Sequence, residues 1–423
     1  MRRVLRTELR RGTAPSAAAV MCGAGVWMLA VHPEHWGGRW AGLANYLRVS
    51  MLILCALMIA AGAWQAGRER RRGIDEMVSS TPRPGWQRVL VAWLAVTLAG
   101  TTGVLVAFAG AAVLVAPAAT YAGGGWWWTL LVGVLALGAA TAGGMAVGRL
   151  VRLRLAAPVA GLAAYLVLAI LTYADTKATV WLSPVHVGPA AYQVVPARVV
   201  AWQAGWLLAL TVALLALAAR RWYAAALAGA LAVGVAVPIV TGPGPYRLPA
   251  DPDAVALVCT DTGAPVCVAR IHAFLLDDVA PIVQPVLARV AGIPGAPDRA
   301  VDDAARPVDQ PQAPGDGTIW LYLDQQSTAR GGLARPDWLK TNLWAVTRPN
   351  CPPGMGSREI HQQAHLTSGL ASAWMLQLPP SPEHPIDWLY ALPMPAQRAW
   401  FADYLRAAAG CDVAALVRLG QPG

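Results

Sequence analysis

Residues 51–72 read MLILCALMIAAGAWQAGRERRR. An uncharged apolar run ends abruptly on Arg68, Glu69, Arg70, Arg71 and Arg72. A segment built this way crosses a bilayer and stops at its cytoplasmic face. About 20 mainly apolar residues span a hydrocarbon core of ~30 Å, and short loops rich in Lys and Arg stay in the cytoplasm. Working outward, seven stretches qualify as spans: 15–31, 46–66, 89–116, 126–148, 158–174, 200–219 and 222–241.

Arginine clusters sit at every second junction. They precede the first span (Arg2, Arg3, Arg6, Arg10, Arg11) and fill the second junction (Arg68 to Arg72, Arg83, Arg88). They return as Arg149, Arg152 and Arg154, and again as Arg220 and Arg221. The opposite junctions hold only Arg39, Lys177 and Arg198, with Arg48 close to the edge of span two. The pattern predicts a multi-pass cell-membrane protein with a cytoplasmic N-terminus. After seven crossings, everything beyond about residue 245 faces outward. The first span has a signal-peptide-like basic start, but HPEHWGGRW follows it without a clean small-residue cleavage site, so it reads as a retained span.

The composition agrees. The chain is 56% hydrophobic and 13% charged, with mean hydropathy +0.45, against about 25% charged in a soluble domain. Residues 1–246 carry 20 Lys+Arg and 6 Asp+Glu, a net of +14, whereas residues 247–423 carry 13 and 17, a net of −4. The basic excess follows membrane junctions, where anionic lipid attracts it. It does not form one folded basic face, which argues against nucleic-acid binding. Residues 1–14 include RRVLRTELRR, a basic interfacial helix with Val4, Leu5 and Leu9 on one side.

The second junction, 67–88, reads GRERRRGIDEMVSSTPRPGWQR. It is too polar to enter lipid and too patterned for a tether. A helix is expected over Arg68–Ser80 with Ile74, Met77 and Val78 on one side, ended by Pro82 and Pro84. A basic N-terminal helix, two spans and this loop together resemble ABC-2 type permeases, the membrane subunits of ABC exporters, in their alanine- and arginine-rich actinobacterial form. The resemblance covers about residues 1–220, with Ser80–Pro84 its most family-like piece. It implies that the loop contacts a separate ATPase subunit through Arg71, Arg72, Ile74, Asp75, Glu76, Met77, Ser79 and Ser80. It also implies a homo- or heterodimer of permease subunits. Such permeases usually have six spans, and here a seventh and an external domain follow.

The remaining signals fit that expectation. Spans three and four are rich in Gly and Ala, which lets helices approach closely in lipid. No span centre shows an obvious ionisable residue, unlike ion-coupled carriers. The chain has no GxxxxGK[ST] loop and only two lysines, Lys177 and Lys340, so it needs no cofactor of its own and any ATP is used by another subunit.

Residues 246–423 are expected to form an extracytoplasmic α/β or α+β domain. AVALVC, VCVARI and GTIWLYLD read as strands, and Gly295–Gly317 as a loop. Cys259, Cys267, Cys351 and Cys411 all fall here, as disulfides in an oxidising compartment do. A Cys259–Cys267 bridge across a hairpin neck is the simplest pairing, with Cys351–Cys411 following by elimination, among three possible connectivities. HQQAH places His361 and His365 four apart on a helix and resembles the zinc-peptidase signature HExxH. Gln362 stands where the catalytic Glu belongs, and an amide takes no proton from metal-bound water. In one such family the third ligand is a Glu nineteen residues after the second His; here that position is His384, beside Glu383. His361 and His365 are thus weak metal candidates, and no enzymatic activity is expected. The expected protein is a polytopic α-helical permease with six to seven transmembrane helices (15–245), moving a hydrophobic substrate. The rival readings are a degenerate membrane-anchored peptidase and a non-transporting receptor.

Overall fold

The computed structural model describes residues 2–73, 84–174, 181–185, 190–241, 248–306, 317–343, 347, 358–382 and 384–421, with residues 2 and 358–364 described by backbone alone. The chain divides into two compact units, Met1–Asp251 and Pro252–Gly423.

The first unit is helical. A short helix α1 (Arg2–Arg11) precedes α2 (Ala14–Val31), α3 (Trp40–Ala66) and a single turn α4 (Arg68–Arg71). There follow α5 (Gly85–Val115), α6 (Trp126–Leu150), α7 (Ala156–Tyr173), α8 (Ala197–Ala218) and α9 (Trp222–Val240). Each of the seven apolar stretches is one of the long helices. At 1.5 Å per residue, the 27-residue α3 runs about 40 Å. Proline marks starts: Pro15 lies in the first turn of α2, and Pro84 caps α5. Pro supplies a fixed φ where no backbone donor is needed.

Glycine sets the closest packing. α3 lies against α6 so tightly that a Cβ at Gly62, Gly144 or Gly148 would collide with the backbone of Thr141, Ile59 or Ala63. Gly103 of α5 meets the backbone of Ala18 in α2 in the same way. In lipid no water is expelled between helices, so such close van der Waals contact is what drives association.

The second unit contains a four-stranded sheet in the order β1-β2-β3-β4: Leu257–Cys259, Val266–Ala269, Arg299–Asp302 and Thr318–Leu321. β1 and β2 are antiparallel and joined by the Cys259–Cys267 disulfide, whose residues are directly paired. β2 with β3 and β3 with β4 are parallel. Between β2 and β3 the chain makes a 3-10 turn (Arg270–Leu275) and then α10 (Leu276–Val290). The rest is helical: α11 (Pro336–Asn342), α12 (Arg358–Leu376), α13 (Asp387–Tyr390), α14 (Met394–Ala409) and α15 (Val413–Leu419). Val268 and Ile319 of the sheet, Val279 and Val283 of α10, and Trp374, Phe401 and Tyr404 share one buried core.

Two expectations change, and a third is met only in part. Among the described residues eight helices, not six to seven, are long and apolar enough to cross a membrane, and the eighth is Arg270–Val290 in the second unit. It carries Asp277, Asp278, Pro281 and Pro285, and its Val279, Val283, Val286 and Val290 lie in the core. An amphipathic core helix thus passes a test of length and mean apolarity. Of the helix expected over Arg68–Ser80, the described part is α4 (Arg68–Arg71), which ends where Gly73 adopts a left-handed φ of 65°, the usual helix terminator; residues 74–80 lie outside the described residues. Finally, Arg299–Asp302, expected in a loop, is β3. Four residues are too few to show alternation, and pairing on both edges makes them a strand.

Candidate functional site

The root of the 67–88 loop is a polar network joining five elements. Glu8 of α1 receives both Nη atoms of Arg68, at 2.7 and 3.1 Å. Gln65, near the end of α3, donates to Glu8 at 3.2 Å and accepts from the Thr13 hydroxyl at 2.6 Å. Thr13 caps α2, so α1, α2, α3 and α4 meet here. On the other side, Glu69 faces Arg149 of α6 at 3.8 Å. Arg70 donates to the carbonyl oxygens of Gly148 and, at 3.1 Å, Val151. Arg71 lies over the Trp64 ring at 4.0 Å and donates to the Trp64 carbonyl at 2.5 Å.

Charge-assisted, bidentate pairs fix geometry as well as energy. Any one of these half-exposed contacts is worth on the order of 1 kcal/mol or less. Together they tie α4 to α1, α3 and α6. Of the expected ATPase-contacting residues, Arg71 and Arg72 stand exposed at this root. Ile74, Asp75, Glu76, Met77, Ser79 and Ser80 lie outside the described residues. Glu8, Gln65 and Glu69 escaped the sequence reading. Glu8 had one visible signal, being the single acid in RRVLRTELRR.

A second polar cluster lies inside the bundle. Arg48 is the ninth residue of α3, about 12 Å along it, and is 4% exposed. It does not sit at a wet edge. Its guanidinium donates to Gln203 of α8 at 2.8 Å and to the Pro184 carbonyl at 3.4 Å. Gln203 donates in turn to the Trp181 carbonyl at 2.7 Å. Among the described residues no carboxylate pairs with Arg48. An intramembrane charge of this kind is expensive and marks function or a structural tie. Here it ties α3 to α8 and to the segment 181–185.

In the second unit, His272 stands at the carboxyl edge of the parallel strands, where α/β sheets place their ligands. Its Nδ1 is 2.7 Å from Asp302 Oδ2, and its Nε2 is 3.3 Å from Asp324 Oδ1. Both partners are carboxylates, so both ring nitrogens donate and the ring is an imidazolium. Burial alone would lower its pKa, but Asp302 and Asp324 outweigh that and hold it at about 9. Asp302 ends β3 and also accepts from the Ala269 and Ala304 amides, each at 3.0 Å. Among the described residues, then, His272, Asp302 and Asp324 form an ion triad. No local motif announces it, because 272, 302 and 324 meet only through strand order.

Cys259–Cys267 is formed, and Cys411 is disulfide-bonded too, while Cys351 lies outside the described residues. Cys22 and Cys55 are free thiols. HQQAH is on α12, where His365 is exposed. The side chains of His361 and Gln362, and all of Glu383, lie outside the described residues. Comparison with family models, curated proteins and solved structures returns no match.

Proposed function

We propose that this chain is the membrane-spanning subunit of an ABC-type exporter, driven by a separate ATPase that engages the 67–88 loop. The observation that carries this reading is the loop-root network, in which Glu8–Arg68 and Glu69–Arg149 bind the loop to α1 and α6. A loop meant only to connect two spans needs no such ties. A loop that transmits an ATPase's closure needs them, because otherwise it would flex in place. The ABC-2 resemblance of residues 67–88 supports the same reading.

The arginine pattern puts α1 and this loop in the cytoplasm. The second unit is then extracytoplasmic, and the formed Cys259–Cys267 bridge supports that placement, since structural disulfides persist in oxidising compartments. A dimer of such subunits encloses the path for a hydrophobic substrate. The test uses the full chain expressed in its native host, with any ABC ATPase that co-purifies with it. Glu8→Gln and Arg68→Gln, and separately a triple change at Ile74, Asp75 and Glu76, should leave ATP hydrolysis running but cut export at least several-fold. Unaltered export in all variants, or the lack of any co-purifying ATPase, would sink the proposal.

A further inference from the structure

Between α2 and α3 the chain makes one short 3-10 turn, Pro33–His35, within the sequence His32-Pro33-Glu34-His35. Three ligand-type atoms, one each from His32, Glu34 and His35, lie within 4.8 Å of one another. His32 Nδ1 is already 3.0 Å from Glu34 Oε1. From this geometry we propose that the turn is a binding site for a divalent transition-metal ion, Zn2+ in the first place.

The ligand chemistry suits that class. Two imidazoles and one carboxylate are borderline donors that Zn2+ prefers over Ca2+ or Mg2+, whose sites are built from oxygens. Ligand atoms around a tetrahedral Zn2+ stand about 3.4 Å apart, so closure from the observed separations takes ~1 Å of side-chain movement. Half of the His32 side chain is exposed, which leaves a path for the ion. Three protein ligands leave a fourth position for water.

The turn is also supported as metal sites are. Arg39 donates to the Glu34 carbonyl at 3.0 Å, and Trp36 Nε1 to the Leu29 carbonyl at 2.9 Å. The His35 ring stacks on Tyr46 of α3, with centroids 5.3 Å apart, and Tyr46 donates to the Met28 carbonyl at 3.2 Å. Groups that orient the ligands in this way tune a site's affinity. A surface ion pair between His32 and Glu34 would explain one contact. It would not explain His35 converging on the same point from a ring held flat against α3. A bound ion would lock the turn that follows α2.

The site does not depend on the transport reading, and its test is binding. The full chain in detergent is dialysed against buffered micromolar Zn2+ and its metal content measured. His32→Gln/His35→Gln should lose one equivalent of zinc relative to the parent chain, while His361→Gln/His365→Gln should keep that equivalent. Glu34→Gln should weaken it at least tenfold, and Co2+ should give the visible bands of a tetrahedral site only when His32 and His35 are present. Matching elution profiles and far-UV spectra establish that each variant is folded. An apo parent chain, or zinc content indifferent to His32 and His35, would overturn the assignment.

Discussion

Replacing Asp302 by Asn should remove the pH dependence of the second unit's stability. In the folded chain His272 titrates at about 9, against 6.5 ordinarily. A folded-state pKa above the unfolded one means that the proton stabilises the fold. The contribution is complete below about pH 6.5 and is lost as pH rises through 9. At 1.36 kcal/mol per pH unit, the rise from 6.5 to about 9 is worth at most ~3 kcal/mol. Asp324 is 39% exposed, so water screens its share and the true figure is smaller. The assay is hydrogen exchange by mass spectrometry on the full chain in detergent, from pH 6 to 10, corrected for intrinsic rates. Peptides carrying the Ala269 and Ala304 amides report directly, because both donate to Asp302. Their opening free energy should fall by 1–3 kcal/mol across that range in the parent. In Asp302→Asn the slope should flatten, and stability at pH 6.5 should drop by ~3–5 kcal/mol, the cost of breaking a buried pair. Parent protection that is flat with pH, or an unchanged slope in the variant, would refute the ion triad.

Three further outcomes follow from the packing. Gly144→Leu should cost more than ~3 kcal/mol and abolish monodisperse elution, since even a Cβ there meets Ile59 backbone. Gln203→Leu should lower the melting temperature by stranding the Arg48 charge, and Arg48→Met/Gln203→Leu should recover most of the loss; two additive losses would show the pair is not coupled. Cys259→Ser/Cys267→Ser opens a bridge of sequence separation 8, so the unfolding free energy should fall by about 2.5 kcal/mol, read as denaturant midpoint with and without reductant.

The helices of the first unit were legible because lipid leaves a chain little choice. A segment of about 20 apolar residues must satisfy its own backbone, so composition alone implies a helix. Pro84 and the arginine clusters gave its ends. The Cys259–Cys267 bridge was legible because eight residues with a Gly-containing turn hold both ends near each other. The end of α4 was not, since a single Gly73 in a left-handed conformation stops that turn after Arg71, and glycine alone does not announce its φ. Arg48 looked like an edge residue because its partners, Gln203 and Pro184, lie more than 130 positions away.

By itself, then, the order of residues determined which segments are apolar helices and where the charge between them lies. Those are local properties, set within a window of one span by hydration and backbone hydrogen bonding. Only the tertiary structure decided that Arg270–Val290 is a core helix, that Glu8 holds Arg68, and that His272 sits between Asp302 and Asp324. Each of these depends on which distant groups arrive at one point. Charge pairing and burial act through space, so sequence separation carries no trace of them.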